Sequence, residues 1–228
     1  MTEEVQPHIL TRGQKFYMGV KAAMDFVIAL IMIIVLSPLF LLTAIAIKID
    51  SKGPVFFLQK RYGKDGNTFT CIKFRSMTVN ARHEVASKDL TEANSCITRV
   101  GKVIRKLSID ELPQLFCLLN FKMSLIGYRP SICGEQELHI ERQAYQVYQL
   151  RPGLSGWAQV NGRDVLAADY HKKAQYDAYY LKHFSLWFDI KIFFMTIVKV
   201  FKSEGVVEGS DSKKETGGVQ STLEEKKQ

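Results

Sequence analysis

The stretch that decides the fold is "FVIALIMIIVLSPLFLLTAIAI", residues 26–47, in which only Ser37 and Thr43 carry polar side chains. A helix needs about 20 apolar residues to cross a bilayer, so this run is long enough to do so. It begins too late and is too long for a cleavable signal peptide. The sequence therefore predicts a chain that is attached to a membrane near its N-terminus.

Ser37-Pro38 lies near the middle of this run and leaves two topologies open. Proline removes a backbone hydrogen bond and kinks a helix, yet membrane helices tolerate it. Basic residues flank the run on both sides, so the positive-inside rule gives no clear orientation. They are Arg12, Lys15 and Lys21 before it, and Lys48, Lys52, Lys60, Arg61 and Lys64 after it. A kinked span and a hairpin that enters and leaves on the cytoplasmic face both fit this pattern.

Composition narrows the class of protein. The chain has 228 residues and a formal net charge of +8, which suits one domain with an anchor that meets anionic lipid or phosphorylated substrates. Its basic residues do not alternate with an aromatic platform, so we expect no nucleic-acid binding. Its four cysteines are widely spaced, which favours reduced thiols over a zinc site or a disulfide framework.

The remaining pattern predicts a mostly helical α+β fold with amphipathic helices at the membrane interface. We divide the chain into a polar segment 1–22, a membrane-inserted segment 23–48, a cytoplasmic domain 49–202 and a disordered tail 203–228. Asp65-Gly66 between two β-like runs is a hairpin signal. Helical patterns cover 111–120, 134–149, 164–183 and 186–201, whereas the glycine-rich 151–163 predicts a structured loop.

Two adjacent carboxylates, Asp110 and Glu111, lie in "RKLSIDELPQLF", residues 105–116. Neighbours on a helix do not face one another, so the pair cannot form a hydrogen-bonded dyad but can do two separate jobs. One carboxylate could attack a substrate while the other holds a metal ion. Alternatively, Ser108 and Glu111 match a capping box, or Asp110 is itself the N-cap. Spacing alone favours a cap.

The basic residues around this pair favour chemistry. Arginine is suited to two-pronged phosphate recognition, and a helix N-terminus also attracts anions. Carboxylates beside phosphates usually need a divalent cation, most often Mg²⁺. The candidate phosphate-binding residues are Arg105, Arg129, Arg151 and Arg163, together with Lys73 and Arg75 on one face of a predicted strand.

Three motifs carry a family resemblance. "KFRSM", "RKLSIDELPQLFCLLNFKMSLIGYRP" and "RPGLSGWAQVNGR" together resemble the bacterial sugar transferase family of small monotopic phosphoglycosyl transferases, over about residues 15–202. The resemblance implies transfer of a sugar-1-phosphate from a UDP-sugar to a polyprenyl phosphate (undecaprenyl phosphate), with release of UMP. This would be the first membrane step of a surface polysaccharide or glycan pathway, at the cytoplasmic face of the bacterial inner membrane.

The resemblance also implies roles for individual residues. Asp110 would be the nucleophile that forms a covalent phosphosugar intermediate, Glu111 would associate with Mg²⁺, and Arg105 and Arg129 would bind substrate phosphate or nucleotide. The membrane element would be a re-entrant helix–break–helix bent at Ser37-Pro38, which favours the hairpin. One departure is Tyr128, where many members have proline.

A different class of function remains as the alternative. A membrane-anchored basic scaffold or lipid-binding protein without catalysis would use Asp110 and Glu111 only as a helix cap. Its basic residues would attract anionic lipid. The sequence identifies neither the sugar nor the pathway, and it leaves open whether the chain forms a homo-oligomer.

Overall fold

The computed structural model describes residues 6–79, 96–162 and 169–202. The predicted tail, residues 80–95 of the predicted domain 49–202, Arg163 and the first five residues of the predicted helix 164–183 lie outside the described residues. The fold is mostly helical α+β, as predicted. Within these ranges the α-helices are α1 (Arg12–Asp50), α2 (Arg99–Lys106), α3 (Leu115–Leu119), α4 (Gln136–Ala144), α5 (Trp157–Gly162), α6 (Tyr170–Lys182) and α7 (Leu186–Lys202).

Helix α1 contains the apolar run and continues through Ser37-Pro38. Thr11 and Gln14 form a capping box at its start. The Ser37 hydroxyl donates to the carbonyl of Ile34 at 2.8 Å, so this side chain bonds within the helix. The predicted helix–break–helix is not confirmed, and the re-entrant topology stays a prediction.

One stripe of α1 packs against the rest of the protein. Its buried residues recur mainly at intervals of four, namely Lys21, Asp25, Ala29, Thr43 and Ile47. Other faces expose large apolar side chains, among them Val27, Ile31, Ile34, Val35 and Leu42. The helix contains an 18-residue window of mean hydropathy 2.9, so it is long and apolar enough to cross a membrane. A contiguous exposed apolar face of this kind indicates membrane association.

The described part of the chain forms two small two-stranded sheets. Strands β1 (Phe56–Tyr62) and β2 (Thr68–Phe74) form an antiparallel hairpin. Asp65 and Gly66 have φ values of 58° and 73° in its turn, which confirms the predicted hairpin. Strands β3 (Ser124–Ile126) and β4 (Gly153–Ser155) form a short parallel pair.

The segment predicted as a structured loop, 151–163, is partly regular. It supplies β4 and then α5, with a helical turn where glycines had indicated a loop. The glycines serve close approach, because a Cβ on Gly156 would lie 1.8 Å from the carbonyl oxygen of Gly127. Backbone contact at this distance excludes any side chain.

The C-terminal helix α7 is amphipathic. It buries Asp189 and Ile192, while Trp187 and Phe194 are 77% and 61% exposed. Such an apolar face beside charged residues fits the membrane interface. Its interfacial placement stays a prediction.

A buried polar network fixes α1 to α6 and α7. The Lys21 ammonium lies 2.7 Å from the Asp189 carboxylate. The hydroxyls of Tyr17 and Tyr180 donate to the same carboxylate at 2.7 and 2.6 Å. All three groups therefore depend on Asp189 for compensation of their burial.

A second contact joins α1 to β3. The Asp25 carboxylate accepts hydrogen bonds from the Ser124 hydroxyl at 2.6 Å and from the Leu125 amide at 3.3 Å. This side chain is 4% exposed. The apolar helix is thus held to the body by buried charge as well as by packing.

Asp189→Asn should destabilise the fold, because it leaves the buried Lys21 ammonium with only the 3.7 Å contact to Asp25. We expect a loss of about 3–5 kcal/mol in the free energy of unfolding, measured by denaturant titration in detergent micelles. The control is Asp65→Asn, which removes an exposed carboxylate and should stay within about 0.5 kcal/mol. Equal effects of the two substitutions would show that the network does not hold α1.

Candidate active site

The carboxylate pair lies in a 3₁₀ helix that follows a sharp turn. Helix α2 ends before Ser108, which adopts a left-handed conformation with φ of 55°, and the 3₁₀ helix Ile109–Gln114 begins there. The Ser108 side chain makes no capping hydrogen bond. Asp110 is the second residue of the 3₁₀ helix and is therefore not its cap. Both capping alternatives are wrong, and the predicted helix over 111–120 is in fact a 3₁₀ turn followed by α3.

Helix α3 anchors this turn in the core. Leu115 and Leu118 are fully buried in a cluster that includes Ala29 of α1 and Met123. Because α3 follows the 3₁₀ helix without a gap, this packing fixes the backbone of the carboxylate pair. The pair is therefore presented from a rigid support.

Glu111 is held by two cations from different parts of the chain. Its Oε1 lies 2.8 Å from Lys73 Nζ on β2 and 2.7 Å from Nη2 of Arg129, which follows β3. Arg129 Nη1 donates to Oε2 at 3.3 Å, so the guanidinium contacts both oxygens. The side chains of Lys73, Glu111 and Arg129 are 15%, 14% and 21% exposed. The structure thus brings together three predicted site residues.

The ionisation of these groups follows from burial and mutual charge. Burial lowers the pKa of Lys73, although the Glu111 carboxylate opposes this shift. Burial also acts to lower the pKa of Arg129, but Glu111 outweighs it and raises this pKa overall. Glu111 therefore keeps Arg129 charged in a poorly solvated position.

Asp110 has a different environment from its neighbour. Within the described ranges its carboxylate makes no hydrogen bond or ion pair. Burial raises the pKa of Asp110, while Lys73, Arg105 and Arg129 act to lower it and Glu111 to raise it. Successive residues in a 3₁₀ helix point about 120° apart, so one carboxylate can be locked while the other remains available.

Arg105 acts on this site from the last turn of α2. It is partly buried, and its charge lowers the pKa of Asp110. Arg105 therefore lies near the carboxylate that the sequence assigned as nucleophile.

The other predicted residues have different positions. Arg75 is 4% exposed and donates to the carbonyl oxygens of Ser51 and Lys52 at 2.7 and 3.0 Å. It thus holds the chain just after α1 and is not bonded to the carboxylate pair. The Arg151 guanidinium carbon lies 5.9 Å from the centroid of the Phe121 ring. Burial lowers the pKa of Arg151, and the negative charge of Asp25 on α1 opposes this shift. Substrate binding by Arg75, Arg151 and Arg163 stays a prediction.

Two basic residues near the site were not singled out from the sequence. Arg61 donates to the Pro130 carbonyl at 2.6 Å and to Gln59 Oε1 at 2.8 Å. Burial is the main cause that lowers the pKa of Arg61, and repulsion by the positive charge of Arg129 lowers it as well. Burial is the main cause that lowers the pKa of Lys173 on α6, and the positive charges of Arg142 and Arg129 also act to lower it. No local motif contains either residue, so only the tertiary fold shows their proximity to Arg129.

Tyr128, the departure from the family pattern, has a packing role. It is 1% exposed, and its ring meets that of Tyr148 edge-on with centroids 5.5 Å apart. The Arg142 guanidinium lies 4.9 Å from the Tyr128 ring centroid. An aromatic side chain therefore fills the core behind Arg129.

The donor set can be tested against the predicted magnesium ion. Mg²⁺ is usually held by one or two carboxylates plus substrate phosphates and water. Asp110 and Glu111 supply such carboxylates. In the described part of the chain, no group of three or more His, Cys, Asp or Glu side chains could hold a metal alone. The residues therefore fit a magnesium ion that binds together with a phosphate substrate.

Comparisons with known proteins support the same class. The chain is 44% identical over 196 residues to a UDP-N-acetylgalactosamine-undecaprenyl-phosphate N-acetylgalactosaminephosphotransferase of Aeromonas hydrophila, covering 83% of this chain and 45% of that protein. It is 40% identical over 185 residues to an undecaprenyl-phosphate glucose phosphotransferase of Komagataeibacter xylinus, covering 78% and 35%. It is 38% identical over 190 residues to the uncharacterized sugar transferase EpsL of Bacillus subtilis, covering 83% and 91%.

The two phosphotransferases are longer than this chain, which spans less than half of each. The sequence model of the family described as bacterial sugar transferase matches residues 16–203, which include both carboxylates and the cations that surround them. The chain belongs to the bacterial sugar transferase family.

Proposed function

We propose that this protein is a phosphoglycosyl transferase that moves a sugar-1-phosphate from a UDP-sugar to undecaprenyl phosphate and releases UMP. The observation that carries the proposal is the contrast within the carboxylate pair. Glu111 is bound by Lys73 and Arg129, whereas Asp110 has no such bond within the described residues. Two relatives are phosphotransferases named for undecaprenyl phosphate, which supports this substrate class.

The first step is attack by ionised Asp110 on the β-phosphorus of the UDP-sugar. A bond forms between a carboxylate oxygen and phosphorus, and the bond from that phosphorus to the bridging oxygen breaks. The electron pair leaves with UMP, and the sugar phosphate stays on Asp110 as an acyl phosphate. In the second step an oxygen of the lipid phosphate attacks the same phosphorus and releases Asp110. Two half-reactions let a soluble and a membrane substrate use one site in turn.

Electrostatics must supply much of the barrier lowering, because a carboxylate and a diphosphate repel one another. The positive charges of Lys73, Arg105 and Arg129 would offset this repulsion, since each of them acts to lower the pKa of Asp110. When bound, Mg²⁺ would be held by Glu111 with Asp110 nearby and would neutralise phosphate charge. Glu111 also keeps Lys73 and Arg129 in position before substrate binds.

The membrane attachment fits a reaction with a lipid substrate. We propose that α1 enters the bacterial inner membrane as a hairpin and returns to the cytoplasmic face, with α7 at the interface. Both ends of α1 contact the same body, through Tyr17 at one end and through Asp50, which accepts from the Val100 amide at 2.9 Å, at the other. Attachment at both ends keeps the site beside the bilayer.

Asp110→Asn should abolish UMP release and yet stabilise the protein. Loss of a nucleophile lowers the rate by about 10³-fold or more. The raised pKa means that ionisation of Asp110 opposes folding. Its stabilising contribution is present at low pH and is lost as pH rises through the folded-state pKa. The neutral asparagine should therefore raise the free energy of unfolding at pH 7.

The measurements are UMP release from a UDP-sugar with undecaprenyl phosphate, and denaturant unfolding in the same detergent. Asp65→Asn serves as the control and should leave both unchanged. Near-normal UMP release by Asp110→Asn would refute the nucleophile assignment. If the wild-type protein released no UMP from any UDP-sugar, the scaffold alternative would replace the proposal.

Glu111→Gln should weaken magnesium binding and lower the stability of the fold together. The amide is a poorer ligand for Mg²⁺, so the Mg²⁺ concentration that gives half-maximal UMP release should rise roughly tenfold or more. Lys73 and Arg129 would also lose the carboxylate that compensates their burial. A magnesium titration of UMP release and a thermal melt measure the two effects. Glu137→Gln, at an exposed position of α4, should change neither. An unchanged magnesium titration would exclude Glu111 as a ligand.

The hairpin can be tested by labelling from either side of the membrane. Single cysteines placed at residues 5 and 215 in a cysteine-free background should both react only from the cytoplasmic side, in inverted but not in right-side-out vesicles. Reaction from opposite sides would show that α1 is a kinked span.

A further inference from the structure

Arg129 lies in a short segment that has no regular secondary structure of its own. Strand β3 ends at Ile126, and residues 128–131, here called the Arg129 segment, belong to neither a helix nor a strand. The Arg129 guanidinium nevertheless meets both oxygens of Glu111, at 2.7 and 3.3 Å. Contacts from neighbouring elements must therefore fix this segment, because the hydrogen-bond ladder of β3 does not extend to it.

The first and last residues of the Arg129 segment are fixed by the core. The Gly153 amide donates to the Tyr128 carbonyl at 2.8 Å. The Arg142 guanidinium donates to the Ser131 hydroxyl at 3.3 Å, and its charge is compensated by Asp177 at 2.6 Å. The two ends of the segment are thus held by groups that have partners of their own.

Strand β1 holds the part of the segment that lies next to Arg129. Arg61 Nη1 donates to the carbonyl of Pro130, the residue directly after Arg129, at 2.6 Å. The Tyr62 amide donates to the Ser131 carbonyl at 3.0 Å. Strand β1 therefore reaches the Arg129 segment both through its backbone and through the Arg61 side chain.

The Arg61 side chain has a fixed orientation in a costly environment. Its Nε and Nη2 donate to Gln59 Oε1 at 3.2 and 2.8 Å, which directs Nη1 onto the Arg129 segment. In the described part of the chain its hydrogen bonds go to neutral acceptors, although the residue is partly buried beside the like charge of Arg129. A guanidinium that served the fold alone would gain more from a carboxylate, as Arg142 does from Asp177.

We propose that Arg61 is a positioning residue for Arg129. Its hydrogen bond to the Pro130 carbonyl fixes the backbone next to Arg129, so that the Arg129 guanidinium meets both oxygens of Glu111. The inference rests on the proposed function for the reaction that Arg129 serves. A displacement of about 1 Å in an active site can lower the rate by about 10²-fold. Loss of Arg61 should therefore lower turnover through the displacement of Arg129.

The test compares Arg61→Met with Lys60→Met in the full chain, purified in detergent. Lys60 is the adjacent basic residue of β1 and is exposed. Two quantities are measured: kcat for UMP release at saturating UDP-sugar and undecaprenyl phosphate, and the hydrogen-exchange rate of the Gly153 amide. That amide reports on the Arg129 segment because its acceptor is the carbonyl of Tyr128, one residue before Arg129.

Arg61→Met should lower kcat by roughly tenfold or more and accelerate exchange of the Gly153 amide by roughly tenfold. Lys60→Met should change neither quantity. A lower kcat with unchanged exchange would show that Arg61 acts on the substrate directly. Faster exchange with an unchanged kcat would show that the Arg129 segment does not limit turnover. Either result would overturn the inference, as would no change in both quantities.

Arg61→Lys keeps the inference testable should Arg61→Met fail to fold. Lysine keeps the positive charge, but its ammonium lacks the fork that bonds Gln59 and the Pro130 carbonyl together, so kcat should still fall roughly fivefold. A wild-type kcat in Arg61→Lys would show that only the charge matters and would refute the positioning role. A wild-type protein that released no UMP would instead contradict the proposed function. Exchange of the Gly153 amide would then still decide whether Arg61 holds the Arg129 segment.

Discussion

The Glu111 carboxylate is the interaction on which the site depends. It compensates Lys73 from the β1–β2 hairpin and Arg129 from the chain after β3, two cations that would otherwise be buried among like charges. A buried ion pair is weak evidence of stability by itself, but it fixes which elements meet. Here it joins the hairpin to the β3–β4 sheet across the 3₁₀ helix. The cations therefore reach the site already positioned.

Helix α1 is connected to the same elements through buried polar contacts. Asp25 accepts from Ser124 and Leu125 in β3, a few residues before Arg129. Asp50 accepts from the Val100 amide in the first turn of α2, the helix that leads to Asp110. The strand that precedes Arg129 and the helix that precedes Asp110 are therefore both bonded directly to α1. This arrangement fixes the position of the site relative to α1.

The sequence predicted the site in outline because its residues lie in local motifs. The hairpin turn at Asp65-Gly66, the carboxylate pair and its partner Arg129 all carry signals within a few residues. Arg75 shows the limit of such patterns. The sequence predicted that Arg75 and Lys73 share a strand face, but β2 ends at Phe74. The Arg75 guanidinium instead binds the carbonyl groups of Ser51 and Lys52, just after α1.

The question whether the carboxylate pair caps a helix or performs chemistry has a geometric answer. In an α-helix the first-turn carboxylates would both be drawn towards the backbone amides at its start. The left-handed Ser108 and the 3₁₀ helix after it provide no such capping bond. They turn the two side chains about 120° apart, so Glu111 faces the cations while Asp110 does not share its bonds. The local backbone thus separates a carboxylate that is held by two cations from one that has no such bond within the described residues.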